Sequence, residues 1–203
     1  MRLISISGSG RSGSTFLSVL LTRNVDVFNL GQIRDFWRAY TQQAICSCGE
    51  PLSNCVIWST VVKQVFGASP QAGLQEMHDW MMAFRKDAES LLDWTDASAL
   101  AMLASRHKNY LTRLEAFLKA SQQVSQSNTL LEFSKSPEIA LACSLIKNME
   151  LHVLNLVRDP RAVALSWEKK EDRDAAIRYT HVWVKRQQIL NRMSTVLGKR
   201  FFS

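Results

Sequence analysis

Residues 3–21 constrain the fold more than any other stretch. An apolar run, Leu3-Ile4-Ser5-Ile6, leads into Ser7-Gly8-Ser9-Gly10-Arg11-Ser12-Gly13-Ser14-Thr15, and Phe16-Leu17-Ser18-Val19-Leu20-Leu21 follows. The first run predicts a buried strand over 2–7, and the second a helix over 14–23. Gly8, Gly10 and Gly13 allow a tight turn between them and the close approach of a ligand to the backbone. The N–H groups of such a turn, with the helix N-terminus, form a concave anion site. Ser12, Ser14 and Thr15 add hydroxyl donors there, and Arg11 adds a fixed positive charge.

The spacing of Gly8, Gly13 and Ser14-Thr15 is that of a P-loop, except that Ser14 stands where a P-loop has lysine. A nucleotide triphosphatase uses that lysine on the terminal phosphates and an acidic residue on magnesium. Neither is in the usual place here. A P-loop kinase is therefore the weaker reading, and the loop suits a phosphate-like group with less charge at its transferring end.

The 203 residues fit one domain, with 46% hydrophobic residues for a core and 21% charged residues, too few for a disordered chain. The net charge of +7 suits an anionic ligand, a nucleic acid or an acidic membrane. No run of five or more Lys/Arg occurs, which argues against a nucleic-acid partner. The chain enters directly into strand and loop, with neither a charged-then-apolar leader nor an apolar run long enough to span a bilayer. A cytoplasmic protein without a transmembrane segment is expected. The ending Lys199-Arg200-Phe201-Phe202-Ser203 reads as the start of a strand that breaks off, so a truncated chain is expected too.

Further along, Val25–Leu30 predicts a second strand, 31–43 a helix, 44–56 a turn-rich loop with three cysteines, and 57–66 another helix. Two apolar stripes follow a break at 67–73. Leu74, Met77, Met81, Phe84, Ala88 and Leu91 form one; Leu100, Leu103, His107, Tyr110, Leu114 and Phe117 form the other. They predict a helical hairpin inserted at about 74–125, packed on the domain and able to serve as a substrate lid, with His107 a packed histidine rather than a ligand. Residues 129–133 read as a strand, 137–149 as a helix, and Leu151–Val157 as a parallel strand covered on both faces. Helices are expected at 161–169 and 174–197. Strands alternating with helices predict an α/β fold with a parallel sheet between helices, in three layers.

A second chemical motif is Leu156-Val157-Arg158-Asp159-Pro160-Arg161, with Ser166 following inside the next helix. Ligands of open α/β sheets bind at the carboxyl ends of strands, so Arg158 belongs to the same rim as the glycine-rich loop. An arginine fork and a serine hydroxyl can hold a phosphate. The plainer reading is a capping turn, with Asp159-Pro160 opening the helix.

The ordered set of motifs resembles the sulfotransferases that use 3′-phosphoadenosine 5′-phosphosulfate (PAPS), and in particular their bacterial branch. Arg11-Ser12-Gly13-Ser14-Thr15 is similar to that family's 5′-phosphosulfate loop, Arg158 with Ser166 to its 3′-phosphate site, and Phe133-Ser134-Lys135-Ser136-Pro137 to its S-K-x-P turn. The cysteine-rich loop and Trp58 are similar to a C-x-C-G…C-x-[FY]-W stretch of the bacterial branch. The resemblance covers nearly the whole chain and implies a P-loop-like fold. It implies PAPS as sulfuryl donor, adenosine 3′,5′-bisphosphate (PAP) as product, no metal for the reaction, and Gly10–Thr15, Arg158 and Ser166 as nucleotide-binding residues. Arg11 and Lys135 are then the groups that stabilise charge on the leaving phosphate. The acceptor would be a small-molecule, carbohydrate or phenolic hydroxyl.

Two departures stand out. Gln32 follows Gly31 where the family has a Gly-Glu pair whose glutamate is the base, and glutamine takes no proton at neutral pH. Asp35 is the nearest substitute, with Glu132 and His152 as further candidates; a catalytically degenerate PAPS- or PAP-binding protein is the alternative. The chain also ends before the family's later R-Y-E-D-L type motif. Cys46, Cys48 and Cys55 could hold zinc with a fourth ligand from Cys143 or a histidine, form a disulfide, or stay free in a compact loop. Trp37 and Trp58 are candidates for an acceptor pocket or for core packing.

Overall fold

A computed structural model describes residues 1–23, 26–91 and 93–203. Strand β1 (Arg2–Gly8) is followed by α1 (Ser14–Arg23), β2 (Val27–Asn29), α2 (Ile33–Thr41) and α3 (Val56–Phe66). Helices α4 (Gln71–Ser90), α5 (Ala97–Arg106) and α6 (Lys108–Ser125) form the insertion. Then come β3 (Thr129–Glu132), α7 (Pro137–Ser144), β4 (Glu150–Leu156), α8 (Pro160–Glu168), α9 (Arg173–Leu197) and β5 (Phe201–Phe202). Val25, the first residue of the predicted second strand, lies outside the described residues.

The five strands make one sheet in the order β2-β3-β1-β4-β5, and every pairing is parallel. The expected α/β architecture is therefore present, with helices on the sheet. Parallel neighbours need crossovers, which the helices supply. The chain leaves β1 towards β3 and β2 on one side and returns to β4 on the other. The switch point of the topology thus lies between β1 and β4, and a crevice opens there.

The insertion differs from the predicted hairpin. The stripe from Leu100 to Phe117 is split between two helices at His107, which ends α5 and begins α6 with φ −104° and ψ 26°. Its Nε2 lies 2.9 Å from Asp87 Oδ2 on α4, and its ring meets Phe84 edge-on at 5.3 Å. That tether holds the bend, and His107 packs as expected. Helix α7 is also shorter than predicted. A turn at Ile146–Met149 and the left-handed Asn148 (φ 61°) redirect the chain into β4. Strand β4 is covered less evenly than its apolar run predicts: Leu151, Val153 and Asn155 are buried, whereas His152, Leu154 and Leu156 are half-buried. Its outer neighbour β5 pairs only with Val153 and Leu154, so the sheet is narrow on that side.

One cluster of buried side chains joins the sheet to the insertion. Phe117 on α6 contacts Phe36 and Trp37 on α2 at 5.0 and 4.9 Å and stacks on Trp58 of α3 at 6.1 Å. Burying each such ring contributes roughly 1.5–3 kcal/mol. The insertion therefore anchors α2 and α3, the helices that lead away from the β2 side of the rim.

Gly8 fixes the approach of β1 to β4. Its φ is +129°, and a Cβ built there would lie 2.5 Å from the carbonyl oxygen of Leu156. Gly8→Ala is expected to lower stability by about 1–3 kcal/mol from backbone strain alone, before the clash is relieved. A urea midpoint unchanged from the parent would contradict this close packing.

Candidate functional site

The glycine-rich loop and the second motif leave adjacent strands at one level. Gly8 is in register with Leu156, so Ser9 and Val157 emerge side by side at the carboxyl rim. Two side chains then join them. Arg158 Nη1 donates to the carbonyl of Arg11 at 2.8 Å, and Arg11 Nε donates to Ser166 Oγ at 2.9 Å. Arg11 itself sits in the left-handed region (φ 66°), a conformation unusual outside glycine and often found at ligand sites. Ser12 Oγ donates to the carbonyl of Ser9 at 2.6 Å, so it shapes the turn instead of facing a ligand. Asp159 caps α8 and grips Arg161, whose hydrogen bonds hold that carboxyl at about 2.

The other half of the rim comes from β2 and β3. Leu30 N donates to the carbonyl of Leu131 at 2.8 Å, and Phe133 N to that of Gly31 at 3.0 Å. These bonds extend the ladder past both strands and set Gly31-Gln32 beside Ser134-Lys135. Gly31 (φ 73°) and Lys135 (φ 56°) both adopt left-handed turns here. Beneath them Glu132 is fully buried and accepts hydrogen bonds from Ser5 Oγ and from Ser134 N, the latter at 2.8 Å. Ser134 Oγ in turn accepts from Arg34 N at 3.1 Å. Burial pushes the Glu132 carboxyl up, against those hydrogen bonds. Glu132 is thus a buried brace for the Lys135 turn, not an acceptor base. Burial, reinforced by the Arg34 guanidinium, holds the Lys135 ammonium below the usual lysine range.

A cavity of about 710 Å³ opens between these halves. It is lined by Gly10, Arg11, Gly13, Ser14, Thr15, Gln32, Lys135, Arg158 and Ser166 among the residues predicted from sequence, and by Arg34, Trp167, Lys170, Tyr179 and Arg186 besides. Six of these are cations, and no Asp or Glu is among the lining residues. Arg186 points in from α9, with Nη1 3.4 Å from the carbonyl of Gly8; burial lowers its pKa, with Arg34 adding to the effect. The Trp167 and Tyr179 rings stack 3.6 Å apart and 10° from parallel, a flat wall at the α8–α9 side.

A second cavity of about 380 Å³ adjoins the first, and Gln32 lines both. Its walls are largely apolar, with Leu30, Phe36, Leu52, Trp58 and Phe133, and Asp35 is its one carboxylate among the described residues. Asp35 does not face the cationic cavity. It forms a two-pronged pair with Arg34, Nε to Oδ1 and Nη2 to Oδ2, both 3.1 Å. Trp58 lines the second cavity, whereas Trp37 is buried in the core. His152 is remote from both, near the start of β4, beside Glu150 and stacked on Phe202.

No protein-family model, curated protein or solved structure matches this chain.

Arg34 and Trp167 could have been suspected from their closeness in sequence to Gln32 and Ser166. Lys170, Tyr179 and Arg186 carry no such signal, because only the folding of α8 and α9 brings them to the rim. Cys46, Cys48 and Cys55 cluster with their sulfurs all within 4.8 Å of one another. Cys143 is not a fourth member: it is buried in α7, where burial raises its thiol pKa well above the usual value. No histidine belongs to the cluster either among the described residues.

Chemically, the first cavity can bind a multiply charged anion without a metal. It can also stabilise negative charge that develops near Arg11 and Lys135. The second can seat a small, partly aromatic molecule with one end at Gln32.

Proposed function

We propose that this chain is a PAPS-dependent sulfotransferase with a small phenolic acceptor. The observation that carries the reading is the acid-free cavity lined by six cations at the β1/β4 switch point, where Arg158 and Arg11 lock the two phosphate motifs together. In this reading the loop from Gly10 to Thr15 receives the 5′-phosphosulfate at the N-terminus of α1. Arg158 and Ser166 receive the 3′-phosphate. The Trp167–Tyr179 wall offers a flat surface to the purine.

The acceptor sits in the adjoining cavity with its hydroxyl at Gln32. Its oxygen forms a bond to sulfur as the bond from sulfur to the bridging phosphate oxygen breaks. The electron pair stays on that oxygen, where Lys135 and Arg11 stabilise it, and PAP departs. Gln32 orients the hydroxyl, and Asp35 takes its proton, directly or through water. A phenol suits this arrangement because it is more acidic than a sugar hydroxyl and because the walls are apolar. A non-catalytic PAP-binding protein is the second reading, favoured by the Arg34 clasp, which engages both carboxylate oxygens of Asp35.

The lining argues against a kinase, since magnesium triphosphates need an acidic ligand near the phosphates. Calorimetry with PAP, adenosine 5′-phosphate and Mg·ATP tests the proposal. Magnesium-independent binding of PAP that depends on the 3′-phosphate is the expected result. Binding of Mg·ATP with no response to PAP would overturn it.

A further inference from the structure

The cysteine-rich loop lies outside the cationic cavity and is folded by its own backbone bonds. Cys46 N donates to the carbonyl of Glu50 at 2.8 Å, Gly49 N to that of Cys46 at 2.9 Å, and Leu52 N to that of Ala44 at 2.9 Å. Ile45 and Pro51 form an antiparallel bridge, and Gly49 takes the left-handed φ of 93° that the turn needs. The loop ends at Cys55, which caps α3 and whose N–H donates to the carbonyl of Pro51 at 2.9 Å. This folding brings three thiols from separate positions to one point.

We propose that Cys46, Cys48 and Cys55 together bind one thiophilic closed-shell cation of the zinc(II) type, with solvent as the fourth ligand. The ion clamps the 44–55 loop that walls the apolar cavity.

Three observations carry this. First, a zinc ion with bonds of about 2.3 Å to sulfur sets tetrahedral sulfurs about 3.8 Å apart. The three sulfurs lie within 4.8 Å of one another, and Cys46 and Cys55 are 3.6 Å apart. A disulfide needs about 2.05 Å, and it would leave the third thiol, also within 4.8 Å, without a role. Second, Cys55 is the residue that opens α3, so the innermost of the three thiols is fixed by regular structure and not by the loop alone. Third, burial is graded: Cys55 is buried, Cys46 half-buried and Cys48 exposed. An ion at their centre lies at the surface, where water can complete the shell and metal can enter.

Each thiol releases its proton to solvent as it ligates, and no electron moves. Because Cys46 belongs to both the cluster and the cavity wall, together with Ile45, Ser47 and Leu52, the ion sets the width of that cavity. The inference does not rest on the sulfuryl-transfer reading, and its test involves no nucleotide.

The experiment uses the full chain purified under reducing conditions and exposed to zinc, then desalted. Metal is counted by elemental analysis and by native mass spectrometry, and affinity is measured by competition with a chromophoric chelator. One zinc per chain is expected, with thiolate charge-transfer bands on cobalt(II) substitution. Cys48→Ser, at an exposed position, is expected to weaken binding at least about tenfold, as the loss of even an outer-shell partner does. Cys143→Ser is expected to leave binding unchanged. Absence of bound metal, equal affinity in Cys48→Ser, or a metal-free chain two hydrogens lighter and therefore disulfide-bonded would each overturn the proposal. Circular dichroism of Cys48→Ser separates loss of a ligand from loss of the fold.

Discussion

If the chain transfers the sulfuryl group of PAPS as proposed, Lys135→Met is expected to lower turnover by about 10²–10³-fold, the usual cost of removing one donor aimed at a developing oxyanion. PAP affinity is expected to change by less than about tenfold, because in the proposed reaction Lys135 acts on charge that appears only as the bond to sulfur breaks. Methionine is chosen because it faces the same left-handed backbone penalty at φ 56° as lysine does, so the turn is not relaxed by the change. The pH dependence adds a second reading of the same residue. Burial, with Arg34, holds the Lys135 ammonium below the ordinary lysine range, so in the free protein the proton leaves at a lower pH than usual. In the proposed reaction only the charged form stabilises the leaving group. The alkaline limb of kcat/KM, which reports the free enzyme, is therefore expected to fall at lower pH than that of kcat, because the bound anion holds the proton on. The unfolded chain binds this proton more tightly, so a charged Lys135 costs the fold stability, and that cost is relieved as pH rises towards the unfolded lysine value. Undiminished turnover in Lys135→Met would remove Lys135 from the reaction.

Arg158→Ala is expected to weaken PAP by about 10–100-fold, since hydrogen bonds to a charged group contribute about 1.5–3 kcal/mol and each 1.4 kcal/mol is tenfold. Arg158 also holds the carbonyl of Arg11, so part of the loss acts through the loop and touches every ligand of the loop. The comparison with adenosine 5′-phosphate isolates the rest. PAP should lose about tenfold more than the ligand without the 3′ group. Equal weakening of both would mean that Arg158 only braces the loop, and the 3′-phosphate assignment would fail. Calorimetry on the parent and the variant decides between them.

Much of the fold was legible because local signals there are strong. Residues 14–23 are helical as the apolar pattern predicts, and β1 ends at Gly8, where the glycine-rich turn begins. The failures have a common cause. The stripe from Leu100 to Phe117 reads as one helix because apolar spacing continues through His107, whereas the bond to Asp87 on another helix bends the chain there. Glu132 and His152 looked like equivalent spare bases. Only the register shows that Glu132 is sealed under the Lys135 turn and that His152 lies at the far end of its strand. Asp35 was found by its closeness to Gln32, but its clasp by Arg34 and its place in the second cavity are tertiary facts.

The parallel α/β frame, the glycine-rich turn and the Arg158 motif are written in local patterns, because periodicity, glycine positions and strand ends are local properties of the chain. The tertiary structure decided which charges meet. Arg34, Lys170 and Arg186 converge on the loop from three different helices or their ends, and Gln32 becomes the hinge point between two cavities. Burial and the repulsion of Arg34 and Arg186 then loosen the hold of Lys135 on its proton. No local pattern encodes that, since it depends on distances between residues far apart in the chain.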